Sequence, residues 1–341
     1  MFSHEQYTAL REGAGLLDRS DRGRLRLTGS DRRNYLQGLL TNDIAALSAG
    51  DGCYAAFLTA QGRMISDMRV SELGDAVLLD LPASTSDTVR QRLSDFIFSE
   101  DVEVVDVTAT LAQFGVYGPE AAAMLETAIG PSVRREQLER MECTTNARFE
   151  FGGDPLLVVR SDDYGVAGFE LFAPAQKAPD LDRALRNAGA MPIAPAVAEI
   201  TRVEAGRPEF GADMDEHTIP LEAGIEDRAI SLTKGCYVGQ EIIIRVLHRG
   251  HGRVAKRLVG FVGESPETAL ERGDRLVTAD APGKEVGSLT SAVRSPLLQR
   301  PIALGYVQRD YTEPGTVLRT SKSSGQVTVV PLPIVSHPTS G

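Results

Sequence analysis

Cysteine is scarce in this chain of 341 residues, and its three positions, 53, 143 and 236, are widely separated. No CxxC pair and no cysteine–histidine cluster with zinc-ligand spacing links them, so neither a structural zinc site nor a disulfide framework is predicted. We expect free thiols in a reducing compartment. Most free cysteines are small buried apolar residues, which is the preferred interpretation for Cys53 and Cys143.

Long apolar runs, a basic excess and nucleotide fingerprints are also missing. No stretch approaches the roughly 18 apolar residues of a membrane span, and the first residues lack a basic flank and an apolar core. The 36 basic and 47 acidic side chains give a net charge of -11, which opposes direct binding to nucleic acid or to an anionic membrane. Neither GxxxxGK(S/T) nor a strand-linked GxGxxG occurs, which disfavours nucleotide and flavin cofactors. A cytoplasmic location is therefore expected.

The length and the order of the predicted elements indicate two or three domains, since about 150 residues per domain is typical. A strand at 23–28 leads into a helix with Ser30 as its N-cap, and a second unit has a strand at 111–117 and a helix opened by Pro119. Up to about residue 250 the mixed β-α-β-β-α-β order is typical of ferredoxin-like α+β layers.

The pattern changes after Val254, where the helical period disappears. About six short strand-like runs, such as 257–262 and 302–307, are separated by Gly, Pro and Asp turns. This spacing predicts a small closed barrel or a sandwich at the C-terminal end.

The most distinctive motif is KGCYVGQE at residues 234–241. Glycines at 235 and 239 permit positive φ on both sides, which would display Cys236 on a turn. The neighbouring Lys234 would favour the thiolate over a free thiol whose ordinary pKa is about 8.5. Cys236 is therefore the candidate reactive cysteine, and a buried cysteine packed between glycines is the alternative.

Two carboxylates are further candidates. Glu204 lies in the apolar part of a predicted helix, so it needs a partner, which is Arg202, Arg207 or a ligand. In a strand of the first unit, Asp67 and Arg69 share one face. That aspartate is either paired with the arginine or held for a ligand.

Basic residues gather between positions 242 and 260, where no acidic residue occurs. They are Arg245, Arg249, Arg253, Lys256 and Arg257, with His248 and His251 among them. In a chain of net negative charge, this segment favours an anionic ligand or partner about as strongly as a solvated basic face. The two histidines do not predict a metal site, because no other ligands stand nearby.

The octet resembles the KGC(F/Y)xGQE motif of the YgfZ family of folate-binding proteins. Residues 202–224, 36–43 and 62–70 are similar to segments of that family and of its relative, the glycine cleavage T-protein. The resemblance spans nearly the whole chain. It implies an aminomethyltransferase-like, three-lobed α+β fold around a central channel that holds tetrahydrofolate.

The implied domain organisation has two parts. An N-terminal, folate-binding T-protein-like domain covers residues 1–250. Its first α+β lobe takes in 1–108 with part of 195–250, and its second lobe takes in 109–195. A small β-barrel covers residues 251–335.

This resemblance implies a tetrahydrofolate-binding accessory protein for iron–sulphur cluster assembly or repair. Its expected partners are iron–sulphur enzymes or cluster-assembly proteins, and a monomer is expected. T-proteins carry paired aspartates where this chain has Ser66 and Asp67, and they tend to have an acid where it has Cys236. Both departures favour sulphur or cluster chemistry over methylene transfer.

Two other functions stay open. The first is a folate-dependent aminomethyltransferase that uses Asp67 as its acid–base or polarising group. The second is a cysteine hydrolase with His248 or His251 as base, which ranks last because no third group orients the histidine. Whether the protein turns over a substrate is left open.

The resemblance also assigns roles to individual residues. Cys236, Lys234 and Asp67 form the candidate catalytic group, and no metal ligand is expected. The candidate folate-binding residues are Glu204, Asn42, Tyr237, Gln240 and Arg253. Glu204 would accept from the donors of the pterin, Tyr237 would lie against an apolar surface, and the basic segment would meet the anionic glutamate tail.

Overall fold

A computed structural model describes residues 3–249, 252–279, 284–322 and 325–335. Within them the chain forms two α/β lobes, each built on one sheet, and a closed six-stranded β-barrel. The α+β, three-lobed fold expected from the sequence is thereby confirmed. None of the described helices is both long enough and apolar enough to cross a membrane. His251, one of the two candidate hydrolase bases, lies outside the described residues.

The first lobe is built on a five-stranded antiparallel sheet with the order β3-β4-β5-β2-β6. Its apolar face packs against two helices, with Leu36 and Val89 fully buried between them and the sheet. The elements up to residue 106 are α1 (His4–Glu12), β1 (Gly15–Asp18), β2 (Gly23–Thr28), α2 (Arg32–Gln37), β3 (Gly52–Leu58), β4 (Met64–Glu72), β5 (Val77–Leu81), α3 (Ala83–Asp95) and β6 (Glu103–Asp106).

The second lobe is built on a six-stranded sheet with the order β11-β1-β7-β10-β9-β8. Its elements are β7 (Leu111–Tyr117), α4 (Ala121–Ile129), α5 (Arg135–Glu139), β8 (Asn146–Phe151), β9 (Asp154–Ser161), β10 (Gly168–Pro174), a 3-10 turn (Ala175–Lys177), α6 (Ala178–Asn187), β11 (Met191–Pro192) and α7 (Pro195–Glu204).

One strand lies in a different lobe from the one expected. The sequence interpretation placed all of residues 1–108 in the first lobe, but β1 pairs antiparallel with β7 and parallel with β11 in the second sheet. The reason is packing, because Leu16 of this strand is buried in the core of the second lobe and Leu17 is buried against α1 and α7. The first sheet therefore begins at β2.

After α7 the chain returns to the first lobe through α8 (Pro220–Ala223), α9 (Glu226–Ala229), α10 (Gln240–Ile244) and a π-helical turn (Arg245–Arg249). Apolar side chains of this return segment pack on the face of the first sheet opposite to α2 and α3. Tyr237 and Ile243 are buried there against Tyr54 and Met64. The octet is thus part of the first lobe.

The barrel closes in the order β12-β15-β14-β13-β16-β17, around buried Phe261 and Leu276. Its elements are β12 (Lys256–Gly263), β13 (Arg275–Thr278), β14 (Glu285–Ser295), β15 (Arg300–Gln308), a 3-10 turn (Arg309–Tyr311), β16 (Val317–Thr320) and β17 (Gln326–Val330). Of the two alternatives predicted from strand spacing, the barrel is confirmed and the sandwich is wrong.

Two predicted helix starts differ by one or two residues. Asp31 is the N-cap of α2, because the Ser30 amide and hydroxyl both donate to the Asp101 carboxylate, at 2.8 and 2.9 Å. The helix expected to open at Pro119 begins at Ala121. Ser30 and Pro119 each lie in the turn that precedes the helix.

The two lobes are joined by a buried polar network. The Gln113 amide on β7 donates to Asp80 of β5 at 3.1 Å and to Glu170 of β10 at 3.0 Å. Asp80 also accepts from Arg22 and lies 3.9 Å from Arg69. Burial alone would raise the pKa of the Asp80 carboxyl, but Arg22 and Arg69 lower this pKa below its ordinary value. Asp80 is therefore a charged junction point between the sheets.

Replacing this carboxylate tests how much the junction contributes to stability. Asp80→Ala leaves the buried Arg22 without its carboxylate and removes one of the two acceptors of the Gln113 amide, so we expect the free energy of unfolding to fall by about 3–5 kcal/mol. The control is Asp180→Ala, which removes an exposed helical pair with Arg183 and should cost less than about 1 kcal/mol. Urea denaturation measures both, and equal losses would contradict the role of the network.

Candidate functional site

A polar cleft lies where the two sheets and the segment after α7 meet. Its walls come from the β1–β2 turn, strands β3 and β4, the β9–β10 turn, the loop after α7, and α9. The lining residues are Arg19, Arg22, Tyr54, Asp67, Arg69, Pro82, Asp163, Tyr164, Arg202, Arg207, Pro208, Glu209, Phe210 and Arg228. Six arginines and three carboxylates are in this set, and each of the six arginines is paired with a carboxylate of the chain.

Asp67 on β4 is the buried carboxylate of this cleft, with 7% of its surface exposed. It accepts a hydrogen bond of 2.6 Å from the Tyr54 hydroxyl on the adjacent strand β3. Burial and the Asp67 carboxylate both raise the pKa of Tyr54 well above its ordinary value, so the phenol stays protonated and donates. Among the described residues, no Lys or Arg forms an ion pair with Asp67.

Arg69, the expected partner of Asp67, is committed elsewhere. Its guanidinium pairs with Asp163 at 2.5 Å across the lobe junction. Burial alone would raise the pKa of the Asp163 carboxyl, but Arg69 and Arg19 lower it below its ordinary value. Of the two alternatives for Asp67, pairing with Arg69 is therefore wrong, and the carboxylate is left available to a ligand.

Ser66, the neighbour of Asp67, faces the other side of the sheet. Its hydroxyl is buried and lies 2.7 Å from the Thr85 hydroxyl of α3. The predicted alternation along this strand is confirmed. The cleft accordingly receives one carboxylate from this dipeptide.

Two arginines converge beside the Asp67–Tyr54 pair. The Arg228 guanidinium lies over the Tyr54 ring at 5.2 Å from its centroid, within the roughly 6 Å over which a cation is attracted to an aromatic ring. Arg228 and Arg207 bind the same carboxylate, that of Asp162 in the β9–β10 turn. Burial, and then the proximity of Arg228, lower the pKa of Arg207. Both side chains keep partial solvent exposure, so a carboxylate from solution can reach them.

Lys234 does not lie beside the thiol of Cys236 as expected. Its ammonium donates to the backbone carbonyls of Gln37, Leu40 and Asn42, at 2.7, 2.6 and 2.8 Å. The carbonyls at the end of α2 have no helical partners and attract the ammonium. Burial lowers the pKa of Lys234 to about 8.

Cys236 is exposed on its turn, which agrees with the displayed thiol and not with the buried alternative. Gly239 has the predicted positive φ, at 87°, and a side chain there would meet the carbonyl of Thr59 at 2.6 Å. Gly235 is not in the left-handed region, so one glycine makes the turn. Cys236 does not line the cleft.

The candidate folate residues are dispersed. Glu204 is buried where α7 meets the barrel, and accepts from the Tyr7 and Ser295 hydroxyls at 2.9 and 2.5 Å. Neither expected arginine partner binds it, because Arg202 pairs with Asp213 at 2.6 Å and Arg207 with Asp162. Burial raises the pKa of Glu204.

The other four lie outside the cleft as well. Asn42 is half-buried and donates its amide to the carbonyls of Tyr54 and Arg228, at 2.9 and 3.1 Å. Tyr237 packs in the core behind Tyr54, Gln240 begins α10, and Arg253 is exposed before β12. Asp67 is the candidate site residue that lines the cleft, and Asn42 touches the backbone of two residues that do.

Sequence reasoning missed Tyr54, Arg228, Arg19 and Asp163. For Tyr54 a signal exists, because it alternates with core residues in the strand predicted at 53–59, and this strand pairs with that of Asp67. Arg19, Asp163 and Arg228 lie in turns or a short helix, where no periodicity marks their direction.

Comparison with known proteins covers both parts of the chain. Residues 2–234 match the family model of the GCVT N-terminal domain, and residues 256–337 match that of the glycine cleavage T-protein C-terminal barrel domain. An aminomethyltransferase of Clostridium botulinum (strain ATCC 19397 / Type A) is 31% identical over 320 residues, which are 92% of this chain and 83% of that protein. An aminomethyltransferase of Rubrobacter xylanophilus is 31% identical over 333 residues, 96% and 85% of the two chains.

A solved structure has a similar fold over nearly the whole length. It is the glycine cleavage system aminomethyltransferase T from Bartonella henselae, with a TM-score of 0.86 and 23% sequence identity. The match covers 98% of this chain and 89% of that chain.

Alkylation tests the environments of the three thiols. Cys53 is half-buried, but Cys143 is exposed like Cys236, so the burial expected for Cys143 is wrong. Desolvation of the thiol raises the pKa of Cys53 to about 12, and desolvation with the nearby Asp162 raises that of Cys143 to about 11. At pH 8 roughly one Cys143 side chain in a thousand is then a thiolate. We expect iodoacetamide to label exposed Cys236 at least about tenfold faster than either. Mass spectrometry of the peptides measures the rates, and faster labelling of Cys143 would contradict the assignment.

Proposed function

The chain belongs to the glycine cleavage T-protein family, and we propose that it binds a tetrahydrofolate in the central cleft and carries out folate-dependent one-carbon transfer of the aminomethyltransferase kind. The observation that supports this most is the buried Asp67 carboxylate, held by Tyr54 and free of an ion pair within the described residues. The names of the relatives support the same activity.

Asp67 would act electrostatically. In this transfer the methylene carbon of the aminomethylated lipoyl carrier forms C–N bonds to two tetrahydrofolate nitrogens. Its C–S bond to the carrier and its C–N bond to the departing ammonia break, and the two N–H protons of the folate pass to the thiol and the ammonia. Positive charge develops on nitrogen as these bonds form and break. A carboxylate fixed in a cleft of low dielectric stabilises such a charge without reorganising. The Tyr54 hydroxyl donates to one oxygen and leaves the second oxygen of the carboxylate for the substrate nitrogen.

Arg207 and Arg228 would bind the anionic end of the ligand. Guanidinium groups suit carboxylates because they donate two parallel hydrogen bonds, and folate ends in glutamate carboxylates. The pair already holds one carboxylate, that of Asp162. The cleft has a volume of about 40 Å³, against roughly 300–1,000 Å³ for ligand pockets in general. Entry of a folate therefore requires side chains to move, and these partly exposed arginines are suited to exchange Asp162 for the ligand.

Calorimetry and a transfer assay test this proposal together. Asp67→Asn keeps the acceptor for Tyr54 but removes the charge, so we expect tetrahydrofolate affinity to change less than about tenfold while transfer falls roughly 100- to 1,000-fold. The assay follows methylenetetrahydrofolate formed with an aminomethylated lipoyl carrier. Asp75→Asn, which breaks an exposed pair with Arg148, is the control and should match wild type. Absence of binding at high micromolar tetrahydrofolate would refute the proposal.

A second candidate function has separate support. The exposed thiol of Cys236, in an octet like that of the YgfZ family, favours an accessory role in iron–sulphur cluster assembly or repair. Folate would still occupy the cleft, and Asp67 without a second aspartate beside it suits binding without transfer. The thiol would meet its partner, an iron–sulphur enzyme or a cluster-assembly protein, at the surface.

Complementation separates the two candidates. In a strain lacking this protein, Cys236→Ser should fail to restore the activity of iron–sulphur enzymes if the accessory role holds, because serine lacks a soft sulphur ligand and nucleophile. Wild-type restoration by Cys236→Ser would remove the thiol from the function. Asp67→Asn serves as the converse variant, since it should abolish complementation only if one-carbon transfer is required.

A further inference from the structure

The buried Lys234 side chain binds segment 37–42 of the first lobe. The carbonyls of Gln37, Leu40 and Asn42 belong to the end of α2 and the residues after it, and one ammonium binds all three. Lys234 itself is buried, and the Tyr237 ring lies 5.1 Å from its nitrogen. One side chain thus binds three backbone carbonyls of segment 37–42.

Two side chains of the same segment, Thr41 and Asn42, bind the backbone of elements that form the cleft walls. The Thr41 hydroxyl donates to the carbonyl of Ala229 at 2.6 Å and accepts from the amide of Ala56 at 2.8 Å. The Asn42 amide donates to the carbonyls of Tyr54 and Arg228. Segment 37–42 therefore ties β3 to α9 by side-chain bonds to the backbone of both.

These bonds hold the backbone at Tyr54 and Arg228 in position. The hydroxyl of Tyr54 binds Asp67, and the guanidinium of Arg228 covers the Tyr54 ring. A shift of either backbone would move the donor of the Asp67 carboxylate or the cation above its ring. Hydrogen bonds and stacking both weaken steeply with small displacements.

We propose that Lys234 is a positioning residue of the Asp67 site: it clamps segment 37–42, and through Asn42 and Thr41 it fixes Tyr54 and Arg228 without touching the ligand. This inference rests on the proposed function for its ligand. It assigns the lysine of the octet to the folate cleft, while Cys236, two residues later, faces solvent.

The matched variants are Lys234→Met and Lys177→Met. Lys177 also donates to a backbone carbonyl, that of Gly152 at 3.1 Å, but lies in the second lobe away from the cleft. We expect Lys234→Met to weaken tetrahydrofolate binding roughly tenfold or more by calorimetry and Lys177→Met to leave it unchanged. A Lys234→Met variant that binds as wild type overturns the clamp.

A double-variant cycle distinguishes positioning from a general loss of stability. If Lys234 acts through Asn42, the double variant Lys234→Met, Asn42→Ala should lose no more affinity than the weaker-binding single variant, because both break one connection. Additive losses overturn the relay through Asn42. If Lys234→Met fails to fold, Lys234→Arg and Asn42→Ala complete the same comparison.

Hydrogen exchange in the ligand-free protein tests the clamp independently of folate. The amides of Ala56 and Thr41, which bond within the tie, should exchange at least about fivefold faster in Lys234→Met, while those of the barrel strand β12 keep their rates. Unchanged exchange at Ala56 overturns the inference. If wild type binds no tetrahydrofolate, the proposed function fails, and exchange alone decides whether the clamp exists.

Discussion

The commitment of Arg69 to the lobe junction is the constraint on which the cleft depends. Arg69 and Asp67 extend from the same face of β4, and in isolation they would pair. Asp163 from the other lobe takes the guanidinium instead, at 2.5 Å, with Asp80 and Arg19 nearby. The charges that join the two sheets thus also determine which carboxylate is left over. Asp67 keeps a single neutral donor, Tyr54, and faces the ligand space.

Local pattern was sufficient for the fold class and for the direction of side chains along a strand. The α+β order, the barrel and the opposite facing of Ser66 and Asp67 all follow from periodicity over a few residues. The partners do not. Glu204 binds Tyr7, which lies 197 positions away, and Lys234 binds carbonyls 192 to 197 positions away. Such contacts depend on how distant elements pack, about which periodicity carries no information.

The octet at 234–241 has two separate roles, one for Lys234 and one for Cys236, which the sequence interpretation treated as a single reactive pair. Lys234 is turned inward, because unpaired carbonyls at the end of α2 satisfy an ammonium better than a thiol does. Cys236 is turned outward by the geometry of the turn. Two residues of one short motif therefore have different environments: Lys234 is buried and binds segment 37–42, while Cys236 faces solvent. The motif is therefore compatible with both folate chemistry and sulphur chemistry, because Lys234 and Cys236 do not occupy the same part of the molecule.

The placement of β1 in the second sheet has a consequence for synthesis of the protein. Gly15 pairs with Tyr117, so roughly a hundred residues separate the two edges of that contact. The strands of the first sheet all lie between residues 23 and 106, and β2 has its first partner, β5, once residue 81 has been made. β1 has none until β7 is made, and during that interval Leu16 and Leu17 belong to an unpaired edge. The nascent chain thus carries a short apolar strand that stays unpaired until β7, which ends at residue 117, has been made.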